Sequence, residues 1–294
     1  MMRGRKALQW MTLLLAGFAG LASAAAVGPG AVRKQVESSM LLRGSIDLDR
    51  TGSVTEVALE QEDKLPQGVV DFVRGSVAQW KFEPVVRDGK PVLARAPVSL
   101  RVVAKKRDDG NYQVAIRHAD FSVPAKDEDG ESVTSKSMNP PRYPEAAYRS
   151  GFKGTVYLIL KVGRDGRVED VVAEQVNLRV IASENQMRIG RDLLARASVA
   201  AARRWSFVPP VRGDAANEPY WTVRVPVNYA FHGDPESDAY GKWSAYVPGP
   251  RQPVPWRAQQ DAPGFSPDTL AQAGGVYMAG AGNGPRLLTP LDGG

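Results

Sequence analysis

A short pattern occurs twice in this chain, and it limits the available folds more than any other feature. Trp80-Lys81-Phe82-Glu83-Pro84 returns as Trp205-Ser206-Phe207-Val208-Pro209. Each copy ends an apolar run with helical spacing. Each is followed, 18 positions after its tryptophan, by valines alternating with polar residues, from Val98 and from Val223. Ahead of each lies a glycine turn between alternating apolar residues: Asp49-Arg50-Thr51-Gly52-Ser53-Val54 and Gly163-Arg164-Asp165-Gly166-Arg167-Val168. Hairpin, helix, tryptophan and strand in the same order twice predict two copies of one supersecondary unit.

The fold class that follows is α+β. Two small domains each pack a helix on a three- to four-stranded antiparallel sheet, and a disordered C-terminal tail follows. The first unit spans 40–121. Ile46 and Leu48, then Val54, Val57 and Leu59, form a hairpin around Gly52. Pro66 opens a helix carrying Val70, Val73 and Val77. Val98, Leu100 and Val102 make a strand, and Tyr112, Val114 and Ile116 add another after Asp108-Asp109-Gly110-Asn111. Residues 122–139 read as a polar linker. The second unit spans 140–232, with a short helix before Gly151, strands on either side of Gly163 and Gly166, and a helix over 185–204. The apolar stripe of that helix is expected along Ile189, Leu193, Ala197 and Ala200, with Leu194 and Ala201 beside it. Residues 233–294 are rich in proline and glycine and predict disorder. Trp243, Tyr246, Trp256 and Phe265 within them are expected to pack back on a domain or to serve as docking points.

Residues 1–24 read as a secretory leader: Arg3, Arg5 and Lys6, then an apolar core, then Ala22-Ser23-Ala24. The alternative is an uncleaved anchor, since 17 positions from Trp10 to Ala26 are apolar or small. Either way the rest of the chain is expected to be exported. Without the leader, 35 basic residues face 32 acidic ones, and the net charge falls from +6 to about +3. That excess is too small and too scattered for a nucleic-acid surface. The chain has no cysteine, which excludes disulfides and thiolate sites.

No catalytic constellation emerges. His118 and His232 have no second ligand at metal spacing and read as solvated surface residues. Asp127-Glu128-Asp129 lacks the spaced oxygens of a calcium loop. No serine has a base in reach, and Gly163-Arg164-Asp165-Gly166 lacks the ending of a phosphate loop. The sequence therefore predicts no enzyme, no cofactor and no metal. Trp80 and Trp205 are expected to seal cores.

The second unit resembles the C-terminal domain of TonB-type energy transducers. The likeness rests on Tyr143-Pro144 with the alanine pair after it, Gly151, Gly154, the turn 163–168, Arg204-Trp205-Ser206-Phe207-Val208-Pro209 and Val223-Arg224-Val225-Pro226-Val227. The first unit looks like a degenerate copy without the Tyr-Pro pair. The resemblance implies a periplasmic helix-on-sheet domain that takes up the TonB box of an outer-membrane transporter as an added strand, supporting energy-coupled transport. It places the partner-binding residues at Arg142, Tyr143, Pro144, Val223, Arg224, Val225, Pro226, Val227, Asn228 and Tyr229. An inner-membrane motor complex becomes a partner only if the leader is kept as an anchor. Such transducers carry a proline-rich spacer, and here a folded unit takes its place before Pro140.

Pro226 sharpens this expectation. Proline cannot donate to a ladder, so mid-strand it predicts an edge, with its nitrogen facing outward, over 221–229. The matching strand of the first unit, 98–103, is expected to be covered by the strand at 112–116. Only the second unit then has a free edge for a partner. The alternative is a non-transducing envelope scaffold that binds other proteins through its aromatic tail.

Overall fold

The computed structural model describes residues 36–107, 110–122, 130–234, 240–256, 261–270, 275–280 and 284–291. The leader, Asp108, Asp109 and the acidic run 127–129 lie outside the described residues. The fold is α+β. In the first unit, β1 (Glu37–Leu48) and β2 (Val54–Leu59) form a hairpin. Helix α1 (Gln67–Val77) follows, with Pro66 at its N-cap. It buries Val69, Val70, Val73 and Val77, and full burial of such a side chain contributes about 1.5–3 kcal/mol. After a small hairpin of β3 (Val86–Arg87) and β4 (Lys90–Pro91), β5 (Ala94–Lys106) pairs antiparallel with β1, and β6 (Tyr112–Asp120) pairs with β5.

The second unit repeats this course. It opens with β7 (Thr134–Ser137) and α2 (Glu145–Arg149). Strands β8 (Gly154–Gly163) and β9 (Val168–Leu178) form its hairpin, α3 (Glu184–Ala202) crosses the sheet, and β10 (Ser206–Val208) leads to β11 (Tyr220–Tyr229). Strand β11 pairs antiparallel with β8, as β5 does with β1. The two closures also match. Phe82 N–H donates to Gly52 and Phe207 N–H to Gly166, each at 2.8 Å. Both glycines hold left-handed backbone, at φ +80° and +77°, and a Cβ on either would lie 2.0–2.1 Å from the phenylalanine carbonyl oxygen. The repeated glycine and the repeated Trp-x-Phe are thus two halves of one contact. Trp80 and Trp205 are each 5% exposed and seal their cores; Trp205 Nε1–H donates to the Asn139 carbonyl at 2.8 Å.

Three details depart from the sequence reading. The second half of the linker is structured: β7 pairs with β10, and Val133 is fully buried. The buried stripe of α3 runs along Met187, Gly190, Leu194, Ser198, Ala201 and Ala202, while Ile189 is 43% exposed. The Phe152 ring fills the space over Gly190, and Ser198 Oγ reaches the Leu194 carbonyl and the Tyr229 hydroxyl, both at 2.9 Å. A glycine and a satisfied serine therefore carry part of the core face, and counting apolar residues placed the stripe on a neighbouring face. The third departure concerns 233–294. Its described portions hold only β12 (Ser244–Tyr246), β13 (Tyr277–Met278) and one 3-10 turn, Pro267–Thr269. Little of it is regular, yet these portions are laid against both units. Strand β12 pairs with the start of β1. Val247 bridges Leu178 of β9, and Gln252 N–H donates to the Glu174 carbonyl. Asp268, fully buried, lies between the units: Arg101 of β5 donates to its carbonyl, His118 Nδ1 of β6 stands 3.2 Å from its carboxylate, and Asn177 of β9 donates to it at 3.4 Å. His118 is therefore not the solvated surface residue expected. Strand β13 pairs with β11, and Leu287 bridges Phe82.

Candidate functional site

The alternation in β11 gives its residues two separate tasks. Trp221, Val223, Val225, Val227 and Tyr229 are buried in the helix-side core. Of the residues expected to bind a partner, Val223, Val225, Val227 and Tyr229 thus present no side chain to the surface. Burial raises the Tyr229 phenol, opposed by its bond to Ser198. At these four positions a partner can meet the strand only through its backbone edge.

That edge can be assigned residue by residue. The Thr222 carbonyl accepts the Ala279 N–H at 2.8 Å, on the side away from β8. Backbone groups alternate in direction along a strand, and the β11–β8 register runs without a bulge. Thr222, Arg224, Pro226 and Asn228 therefore turn their backbone groups outward. The Pro226 ring nitrogen faces outward, where it costs no ladder bond.

The edge is not wholly free, which corrects the expectation for 221–229. Strand β13 lies on it, with Val223 opposite Met278 and Arg224 opposite Tyr277. The sheet order is β13-β11-β8-β9. Among the described residues no strand pairs with the outer side of β11 beyond Arg224 toward Tyr229. By contrast β6 runs along β5 over eight paired positions.

On the sheet face away from α3, Arg224 is 3% exposed. Its guanidinium donates to both Glu174 oxygens at 2.6 and 3.0 Å and to Asp261 at 2.9 Å, and it stacks over Phe265 at 4.6 Å. Arg251 bonds the same two carboxylates from the other side. Two arginines thus meet two carboxylates in a closed set, with one member of each sign from the tail. Breaking such a buried pair costs about 3–5 kcal/mol, although forming it contributes far less net. Asp120 of β6 borders the same spot, its carboxyl pushed up by burial against bonds from Ser122. The cavity there, lined by Asp120, Arg224, Asp261, Phe265 and Tyr277, is about 40 Å³. It suits ordered water and no larger ligand.

The Tyr-Pro segment reaches the far end of β11. Tyr143 packs edge-on to Tyr229 at 5.1 Å and stacks on Phe231 at 5.6 Å, and its hydroxyl donates to the Phe152 carbonyl. Burial pushes its phenol up to about 12. Pro144 caps α2, and Arg142 is exposed. The structure thus gathers Tyr143 with β11, whereas Arg142 shares only the neighbourhood. Sequence reasoning missed Glu174, Arg251 and Asp261. The one visible signal was Glu174, a lone carboxylate in the apolar stretch Val171-Val172-Ala173-Glu174-Gln175-Val176. Among the described residues no group of three or more His, Asp or Glu could hold a metal ion, and no helix is long and apolar enough to cross a membrane.

Comparison with known proteins gives this geometry a family. Residues 139–231 match the Gram-negative bacterial TonB protein C-terminal family. Protein TonB of two Xanthomonas campestris pv. campestris strains is 43% identical over 101 residues, which is 34% of this chain and 39% of theirs. Protein tonB2 of Pseudomonas aeruginosa is 36% identical over 89 residues, 30% of this chain and 28% of that protein. The chain thus spans about two-fifths or less of these relatives. No solved structure matches it. The second unit is a TonB C-terminal domain.

Proposed function

We propose, from a second unit that is a TonB C-terminal domain, that this chain works in the periplasm as a non-enzymatic binding module for energy-coupled transport. Its partner is an extended segment of an outer-membrane TonB-dependent transporter, which joins the sheet as a strand along the outer edge of β11. The observation that carries this reading is the outward-facing backbone at Arg224, Pro226 and Asn228, with the proline nitrogen turned to that side. An incoming strand would gain bonds worth about 0.5–1.5 kcal/mol each, net, and would reach the Tyr143–Phe231 aromatic stack at the far end. The first unit, whose equivalent edge carries β6, serves as a spacer or scaffold. Engagement of an inner-membrane motor depends on whether the leader is retained as an anchor.

Amide hydrogen exchange with and without a TonB-box peptide tests this. Protection should appear at Asn228, whose N–H faces outward beyond the two positions that β13 pairs. Protection within 98–103 and none at Asn228 would refute it.

A further inference from the structure

The edge assigned to the partner already has an occupant. Resting on the strand-addition reading above, we infer that the stretches 261–270 and 275–280 form an intramolecular gate: they hold the outer edge of β11 in the resting protein and must leave for a partner strand to enter.

Three observations converge on this. First, β13 takes the edge as an added strand would, antiparallel and in register, with Ala279 N–H on the Thr222 carbonyl. The two pairings it makes include Arg224, the residue whose amide a partner would need. Second, the hold extends beyond the backbone. Asp261 and Phe265 grip the Arg224 guanidinium from the sheet face away from α3, and Tyr277 is 5% exposed. The same segment therefore fastens one β11 residue by both main chain and side chain. Third, the two units differ in how firmly the edge is filled. Strand β6 follows β5 directly and pairs at eight positions, whereas β13 begins 48 positions after β11 ends and pairs at two. A full-length neighbouring strand makes a permanent sheet. A two-residue strand reinforced by an ion cluster makes a removable one. Arg224 stays satisfied on release, because Glu174 lies on β9 of its own unit and keeps two of its bonds. The gate can open with the buried Arg224 guanidinium still paired.

The device predicts a competition. A binding-competent state populated only in part lowers apparent affinity by that fraction, and the coupling is reciprocal. The test uses the full chain and two variants, Ala279→Pro, which removes the N–H donated to Thr222, and Asp261→Asn, which weakens the grip on Arg224. In both, the Arg224 amide should exchange faster while the core amides of Leu158 and Leu160 keep their rates. Both should bind a fluorescent TonB-box peptide more tightly than wild type, on the order of tenfold. In wild type, saturating peptide should make Tyr277 a chymotrypsin site. Equal affinity in wild type and in variants with a deprotected Arg224 amide overturns the gate and leaves the edge reading standing. Peptide binding to none of the three proteins overturns the edge reading, and the gate with it.

Discussion

Replacing Gly166 by alanine should cost far more than replacing Gly151, although the two glycines share a backbone conformation and a domain. Both have positive φ, +77° and +73°. That conformation costs a residue with a Cβ about 1–2 kcal/mol. Gly151 has nothing within 4 Å of an added Cβ, so the backbone cost is all that Gly151→Ala should show. At Gly166 the Cβ would sit 2.1 Å from the Phe207 carbonyl oxygen. The two chain segments must part, and the Phe207 N–H bond to the Gly166 carbonyl at 2.8 Å is lost with them. The bond contributes about 0.5–1.5 kcal/mol. Displacing Phe207, 2% exposed, adds about 1–3 kcal/mol of strain. Gly166→Ala should therefore exceed Gly151→Ala by roughly 2–4 kcal/mol. For a domain of this size a 2 kcal/mol gap is a Tm difference of roughly 8–16 °C. Urea unfolding of both variants, followed by amide exchange in the second unit, measures the gap. A difference below about 0.5 kcal/mol, within the usual scatter of surface substitutions, would refute the claim that this contact closes the unit. Gly52→Ala should behave the same way in the first unit.

Other consequences can be checked alongside. Trp205→Phe orphans the Asn139 carbonyl and should cost the second unit about 1–3 kcal/mol in denaturant titrations. The Asp120 carboxyl is held above its ordinary 3.8 by burial, so the native state keeps that proton longer than the unfolded chain. Its contribution is present below 3.8 and lost as pH rises through the raised value. Wild-type minus Asp120→Asn stability should therefore fall across that window, and a flat difference would contradict the assignment. Burial pushes the Tyr277 phenol up to about 12. Tail docking should then be fully present below pH 10 and lost toward pH 12. Absorbance titration at alkaline pH should show a late phenol that Tyr277→Phe lacks, beside those of Tyr143, Tyr229 and Tyr240, which burial also raises.

The repeated elements were legible because each is set by local chemistry. Glycine at a left-handed turn, proline before α1, and a two-residue period in β11 all act within a few positions. The parity of Pro226 was legible for the same reason. What escaped the sequence depends on distant partners. Arg224 reads as a polar residue on an open face until Asp261 and Phe265 cover it. His118 reads as solvated until Asp268, 150 positions on, comes to rest beside it. The α3 stripe was misplaced because Gly190 and Ser198 are core residues only by virtue of Phe152 and Tyr229. The described parts of 240–291 lack periodicity since they borrow hydrogen bonds from sheets already built.

That borrowing has a cost in time. Strand β1 pairs with β12 at Ser39 and Ser244, 205 positions apart. At a synthesis rate of about 5–20 residues per second, the start of β1 waits roughly 10–40 s for its outer neighbour to emerge. Over that interval a nascent chain carries bare strand edge at its N-terminal end, a template for pairing with other chains. Export before folding, or a chaperone that shields the first unit until residue 246 has been made, would suit a protein whose first sheet is finished by residues 244–246.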